Sequence, residues 1–83
     1  MDDSLLRAFG DQLRSLRMLK GISQEKLAEL AGLHRTYLGG VERGERNPTL
    51  LTVAKIARGL NVPMTQLLDA IDVSHLVCSD EMV

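Results

Sequence analysis

The segment at residues 32–44, GLHRTYLGGVERG, places an arginine and a threonine, Arg35 and Thr36, at the start of a predicted helix. An arginine guanidinium can donate two parallel hydrogen bonds to the edge of one guanine, and the threonine methyl group can contact the methyl group of thymine. Side chains at the exposed N-terminal end of a helix reach base edges when that helix lies in the major groove of DNA. We therefore predict that Arg35 and Thr36 contact bases.

A polar residue, Gln24, begins the preceding predicted helix. Ser23 is a good N-cap for that helix. A donor in this position can bind a phosphate together with the free backbone N–H groups of the first turn. The short turn Gly32-Leu33-His34 connects the two helices, and the arrangement is that of a helix-turn-helix, in which the first helix crosses the DNA backbone.

Two adjacent glycines, Gly39 and Gly40, interrupt the second of these helices. Each glycine in a helix interior costs about 1 kcal/mol relative to alanine, so the pair needs a physical reason. One interpretation is that a helix without side chains there lies closer to the DNA backbone or bends onto it. The alternative is that the glycines allow close packing between helices.

The hydrophobic periodicity predicts an all-α fold of five short helices at about residues 4–20, 24–31, 35–43, 50–60 and 64–71. The predicted buried positions are Leu6, Phe9, Leu13 and Leu16 in the first helix, Leu38 and Val41 in the third, and Leu50, Val53 or Ala54, Ala57 and Leu60 in the fourth. One domain over residues 4–72 accounts for these helices. Residues 73–83 form a C-terminal tail that extends the last helix, packs across a partner or is disordered.

The composition is that of an ordinary globular protein, with 45% hydrophobic and 25% charged residues among 83. Residues 1–59 carry ten Lys and Arg against seven acids, a net charge of +3, whereas residues 60–83 carry four acids and no base. Such a distribution allows one face to bind a polyanion. The single cysteine, Cys78, cannot form an internal disulfide, and no stretch approaches 18 apolar residues. We expect a cytoplasmic protein without membrane association.

The sequence gives little support for catalysis or metal binding. It contains no phosphate-binding glycine loop, no nucleophile with a neighbouring base and no cluster of carboxylates. His75 and Cys78 are spaced as H-x-x-C, but a closed zinc site needs about four ligands and His34 is the only other histidine. We predict that the protein is not an enzyme and needs no cofactor, metal ion or small-molecule ligand.

Residues 21–48, GISQEKLAELAGLHRTYLGGVERGERNP, resemble the XRE/Cro-type helix-turn-helix domain of bacterial and phage repressors. The Ser-Gln-Glu-x-Leu-Ala opening, the Glu-Arg-Gly ending and the following Asn-Pro fall in register, and the resemblance extends over about residues 6–71. The string RTYLGGVERGERN is similar to controller proteins of restriction–modification systems. The resemblance implies a lambda-repressor-like fold. It departs from the family pattern at His34, where the cap before the recognition helix is commonly Ser, Thr or Asp.

The resemblance also implies roles for individual residues. Arg17 and Glu42 match a buried ion pair of phage repressors. The implied DNA-facing residues are Gln24, Arg35, Thr36, Tyr37 and Gly40. The residues implied to contact the DNA backbone, beyond the recognition helix, are Arg43, Arg46 and Asn47. Dimerisation is implied through Val62, Met64, Leu67, Leu68 and Ile71.

Together these observations predict a sequence-specific transcriptional regulator that binds double-stranded DNA as a homodimer on a near-palindromic operator. The controller resemblance implies regulation of its own gene and of a restriction–modification operon, with pairs of dimers filling sites cooperatively. The alternative is an antitoxin-like protein-interaction module in which DNA binding is secondary. In that hypothesis the acidic C-terminal segment, with Leu76, Val77 and Met82, binds the partner protein.

Overall fold

The computed structural model describes residues 4–69 and 71, and these residues form five α-helices without a strand. The helices are α1 (Ser4–Leu19), α2 (Gln24–Ala31), α3 (Arg35–Glu42), α4 (Leu50–Leu60) and α5 (Met64–Leu68). This confirms the all-α prediction, and α2 and α4 have the predicted bounds. Helix α5 ends three residues earlier than predicted, and beyond it the Ile71 N–H donates to the Leu68 carbonyl at 3.0 Å.

The start and end of α2 follow from local hydrogen bonds. The hydroxyl of Ser23 accepts from the backbone N–H of Lys26 at 3.0 Å, as expected for an N-cap. Gly32 ends the helix in the left-handed conformation with φ of 72°, where a side chain would be strained. His34 occupies the N-cap position of α3 and makes no side-chain capping bond. The two helices are therefore separated by only three residues.

The hydrophobic core lies between all five helices, because α2 packs on α4, α3 packs on α1 and α2, and α5 packs on α1 and α4. The largest fully buried side chains are Leu13, Leu27, Leu38, Val41, Ile56, Leu60 and Leu67. Phe9, Leu16, Val53 and Ala57 are also buried as predicted, whereas Leu6 and Ala54 are half-buried.

The prediction that Leu50 is buried was wrong, since 74% of its surface is exposed. Leu50 is the first residue of α4, and helical side chains point back towards the N-terminus, so this side chain projects beyond the core. Ile56 supplies the buried contact in the middle of the same helix.

Helix α1 contacts the C-terminal end of α3 through the backbone at Gly10. A Cβ atom at Gly10 would meet the carbonyl oxygen of Val41 at 2.6 Å and would also meet that of Glu42. Both are backbone atoms near the C-terminus of α3, so they cannot move aside without shifting the helix. The absence of a side chain at Gly10 thus sets the distance between the two helices.

A buried ion pair joins the same two helices. The Arg17 Nε lies 2.6 Å from Glu42 Oε2, and Nη2 lies 3.2 Å from Oε1, so the contact is bidentate. A further guanidinium nitrogen of Arg17 donates to the carbonyl of Ile22 at 2.9 Å, just before α2. The Glu42 side chain is only 3% exposed. Removing one partner would leave the other charge buried and unpaired.

We predict that Gly10→Ala destabilises the protein by about 1–3 kcal/mol, because the methyl group overlaps the α3 backbone. Gly40→Ala is the matched control: the three atoms nearest to a Cβ at Gly40 all belong to the side chain of Arg46, which can move. The control should be as stable as the wild type or more stable, since alanine favours the helix. Urea unfolding of the two variants measures the difference, and equal stability would contradict the backbone contact.

A second prediction concerns the buried ion pair. Arg17→Met and Glu42→Leu should each lower the free energy of unfolding by about 3–5 kcal/mol, because each strands one buried charge. The double variant should recover part of this loss, since neither charge remains. Denaturant unfolding of the three variants gives the coupling energy. A double variant no more stable than either single variant would contradict the pairing.

Candidate nucleic-acid interface

Helices α2 and α3 form a helix-turn-helix whose turn is held by backbone bonds to α2. The N–H of Leu33 donates to the carbonyl of Ala28 at 2.9 Å, and that of Gly32 donates to Glu29 at 3.2 Å. The Leu33 side chain is half-buried and packs against the core. These contacts fix the direction in which α3 leaves the turn.

A polar cleft of about 240 Å³ lies between the start of α2 and the exposed side of α3. This polar cleft is lined by Gln24, Arg35, Thr36, Gly39 and Arg43. The side chains of Arg35, Thr36 and Arg43 are exposed. Their guanidinium and hydroxyl groups are donors that suit phosphate oxygens and the acceptor atoms of base edges. The cleft therefore brings together four of the residues predicted to face DNA.

Gln24 is oriented by the buried ion pair. Its Nε2 donates to Glu42 Oε1 at 2.9 Å, and a carboxylate only accepts hydrogen bonds, so the amide nitrogen must face Glu42. The amide oxygen consequently lies at the polar cleft, 3.4 Å from where a Cβ atom of Gly39 would be. The Gln24 amide nitrogen, which we predicted to donate to a phosphate, thus uses one of its hydrogens for Glu42. The amide oxygen adds a hydrogen-bond acceptor to the polar cleft.

Gly39 forms the floor of the polar cleft. A Cβ atom there would approach Arg43 Nη1 to 3.2 Å and Gln24 Oε1 to 3.4 Å, so a side chain would fill the space between these groups. Gly39 was not among the predicted site residues. Its spacing of four residues from both Arg35 and Arg43 places all three on one side of α3, and this signal could have found it.

Gly40 lies on a different side of α3, beneath Arg46. A Cβ atom at Gly40 would lie 2.8 Å from the Arg46 Cγ, and the residue is buried. We expected Gly40 to face DNA, and in the free protein the side chain of Arg46 lies over it. Close packing between helices does not explain the glycine pair either, since the close neighbours of both positions are side chains. Gly10 permits such packing of α1 on α3, and Gly59 permits it of α4 on α2, where a Cβ atom would lie 3.2 Å from the backbone nitrogen of Ala31.

The remaining predicted contact residues, Tyr37, Arg46 and Asn47, do not line the polar cleft. Tyr37 is half-buried against the core, and the Arg46 Cζ lies 5.9 Å from its ring centroid. Arg43 forms an exposed ion pair with Glu45 at 3.2 Å. Asn47 is exposed, but it lines a different cleft and does not lie beside Gln24 or Arg35.

That second cleft is an apolar groove of about 150 Å³ between α1, α4 and α5. It is lined by Leu5, Leu6, Phe9, Asn47, Pro48, Val53, Leu68 and Ile71. Among the predicted dimer residues, Leu68 is 41% exposed, whereas Val62, Met64 and Ile71 are half-buried against the core. Leu67 is completely buried within the monomer, so it supports this surface from beneath and cannot contact a partner itself.

Two general findings complete the description of residues 4–69 and 71. No group of three His, Cys, Asp or Glu side chains among them could hold a metal ion. None of their helices is long and apolar enough to cross a membrane. His75, Cys78 and the tail at 73–83 lie outside the described residues.

Comparison with known proteins agrees with this geometry. The profile of the helix-turn-helix family HTH_3 matches residues 13–67, which is more than half of the chain. Control protein C.SmaI of Serratia marcescens is 52% identical over 58 residues, covering 70% of this chain and 69% of that protein. Control protein C.BamHI of Bacillus amyloliquefaciens is 43% identical over 70 residues, covering 83% and 86% of the two chains.

Among solved structures, the restriction–modification controller protein C.AhdI from Aeromonas hydrophila superposes with a TM-score of 0.74. It is 52% identical, and the match covers 75% of this chain and 94% of that one. The helix-turn-helix geometry, the family match and these relatives lead to one assignment. The chain belongs to the HTH_3 helix-turn-helix family of DNA-binding transcription regulators, and it is similar to the control proteins of restriction–modification systems.

Proposed function

We propose that this protein is a sequence-specific regulator of transcription that binds its operator as a homodimer, with α3 of each protomer in a major groove. The observation that carries this proposal is the polar cleft, where Gln24, Arg35, Thr36 and Arg43 converge on the exposed side of α3. Helix-turn-helix proteins place this side of the second helix against base edges. The cleft thus has both the location and the hydrogen-bonding groups for DNA recognition.

Within this interface we assign base contacts and phosphate contacts to residues according to their positions. Arg35 and Thr36 begin α3 and are exposed, which supports our proposal that they contact base edges. We assign phosphate contacts to Arg43, Arg46 and the start of α2 at Gln24. These contacts would fix the register of the protein on the DNA. Asn47, which we also expected to contact the backbone, would do so from the far side of the loop.

The dimer proposal rests on exposed apolar surface near α5. Leu68 is exposed beside the apolar groove, and Ile71 lines the same groove. Two copies related by a twofold axis through this surface would present two α3 helices to the DNA. Half-sites about 34 Å apart, one helical turn, would then form a near-palindromic operator.

The relatives named above are control proteins of restriction–modification systems, which supports the same role for this chain. We infer that it regulates its own gene and a neighbouring restriction–modification operon in the cytoplasm, with no small-molecule ligand. The antitoxin-like alternative depended on Leu76, Val77 and Met82, which lie outside the described residues. The geometry of the described residues favours the regulator.

Arg35→Ala tests base reading directly. It should weaken operator binding by about 1–3 kcal/mol and relax the preference at one base pair, while binding to a shuffled duplex changes much less. Arg14→Ala is a matched control, because Arg14 is an exposed arginine of α1 outside the polar cleft. Titrations against both duplexes at fixed salt measure the selectivity. An equal loss of affinity for operator and shuffled DNA would contradict the role of Arg35.

Leu68→Glu tests the dimer. A charge at this exposed apolar position should shift sedimentation from dimer to monomer without unfolding the protein. Leu30→Glu is the matched control, since Leu30 is 45% exposed but lies on α2. A wild type that sediments as a monomer, or a Leu68→Glu variant that remains as dimeric as the control, would contradict the proposed interface.

A further inference from the structure

Two sides of α3 each contain one of the adjacent glycines. Arg35, Gly39 and Arg43 lie on the side that borders the polar cleft. Tyr37 and Gly40 are three residues apart, so they are neighbours on another side of the helix. We call this second side the Tyr37–Gly40 surface. It consists of the Tyr37 ring and the backbone at Gly40, where there is no side chain.

The side chain of Arg46 lies on the Tyr37–Gly40 surface. A Cβ atom at Gly40 would lie 2.8 Å from Arg46 Cγ, 3.5 Å from Nε and 3.7 Å from Cδ, so the aliphatic part of the arginine occupies the space that a side chain at Gly40 would fill. The Arg46 Cζ is 5.9 Å from the Tyr37 ring centroid, within the range of a cation–π contact.

The turn after α3 brings Arg46 to this position. Gly44 adopts φ of 77°, a left-handed conformation that reverses the chain direction. The N–H of Gly44 donates to the carbonyl of Val41 at 3.1 Å, and that of Glu45 donates to Gly40 at 2.8 Å. The loop is thereby bonded back onto the last turn of α3.

The electrostatic surroundings leave the Arg46 charge available for an anion. The neighbouring Arg43 is paired with Glu45 at 3.2 Å. Within residues 4–69 and 71, no carboxylate lies within ion-pair distance of Arg46. An arginine that is already held in position loses less side-chain freedom when it binds a ligand.

We propose that Gly40 and Tyr37 are positioning residues that hold Arg46 against the recognition helix, so that the loop supplies the cation that position 40 lacks. Arg46 then contacts DNA from the surface of α3. This inference rests on the proposed function for its ligand, DNA. The arrangement of these three residues is a property of the free protein and can be tested without DNA.

The first test uses nuclear Overhauser effects between the Tyr37 ring and the side chain of Arg46 in the full-length protein. Tyr37 is the only tyrosine, so its ring signals are unambiguous. We expect contacts to the Arg46 methylene protons in the wild type and their loss in Gly40→Ala, with the melting temperature unchanged or higher. Contacts that persist unchanged in Gly40→Ala, or that are absent from the wild type, would overturn the proposal.

The second test is a double-mutant cycle in DNA binding. Gly40→Ala and Arg46→Ala should each weaken operator binding about tenfold and reduce the salt dependence by about one unit of slope. In the Arg46→Ala background, Gly40→Ala should have an effect of less than about twofold, because its only target is gone. An undiminished effect would mean that the methyl group acts on the helix or the DNA directly, which would overturn the proposal.

Gly39→Ala is the matched control for this cycle, since it adds the same methyl group to the same helix but faces Gln24 and Arg43. Its effect should be the same with and without Arg46. Failure of the proposed function is separable from failure of this inference. A wild type that does not distinguish operator from shuffled duplex would refute the proposed function. The nuclear Overhauser contacts between Tyr37 and Arg46 in the free protein would still test the positioning of Arg46.

Discussion

The relative position of α2 and α3 depends on the hydrogen bonds that the buried carboxylate of Glu42 accepts. This carboxylate accepts two hydrogen bonds from Arg17 on α1 and one from Gln24 on α2, while Glu42 itself belongs to α3. One side chain therefore joins three helices, and a second donor group of Arg17 holds the chain just before α2 at Ile22. A buried charge must be fully paired to be tolerated, so these partners are held in a single arrangement. The start of α2 and helix α3 consequently keep a fixed position relative to each other.

Three helical glycines give this arrangement its shape, each for a different reason. Gly10 allows α1 to contact the backbone of α3, which brings Arg17 close to Glu42. Gly39 keeps the polar cleft open between Gln24 and Arg43. Gly40 makes room for the side chain of Arg46. The adjacent pair, which costs the helix about 1 kcal/mol for each glycine, leaves space on α3 for the side chains of Gln24, Arg43 and Arg46.

The sequence predicted the helices well because their signals are local. Ser23 and Gly32 bound α2 through contacts within a few residues, and the hydrophobic spacing identified most of the core. The features that the sequence did not predict involve packing between elements or the end of an element. The exposure of Leu50, the covering of Gly40 by Arg46 and the close approach at Gly10 all depend on how the helices and loops pack. The orientation of the Gln24 amide likewise depends on a carboxylate 18 residues away, so no local pattern could reveal it.

The central claim is that this protein recognises one DNA sequence through α3, and a fluorescence-anisotropy titration tests it most directly. The wild type would be titrated against the DNA immediately upstream of its own gene and against a shuffled duplex, at several salt concentrations. We predict tight binding to the upstream DNA, with two protomers per site and a clear preference over the shuffled duplex that persists as salt rises. Weak binding that is equal on both duplexes and disappears with salt would contradict the account, because it would reflect phosphate contacts alone.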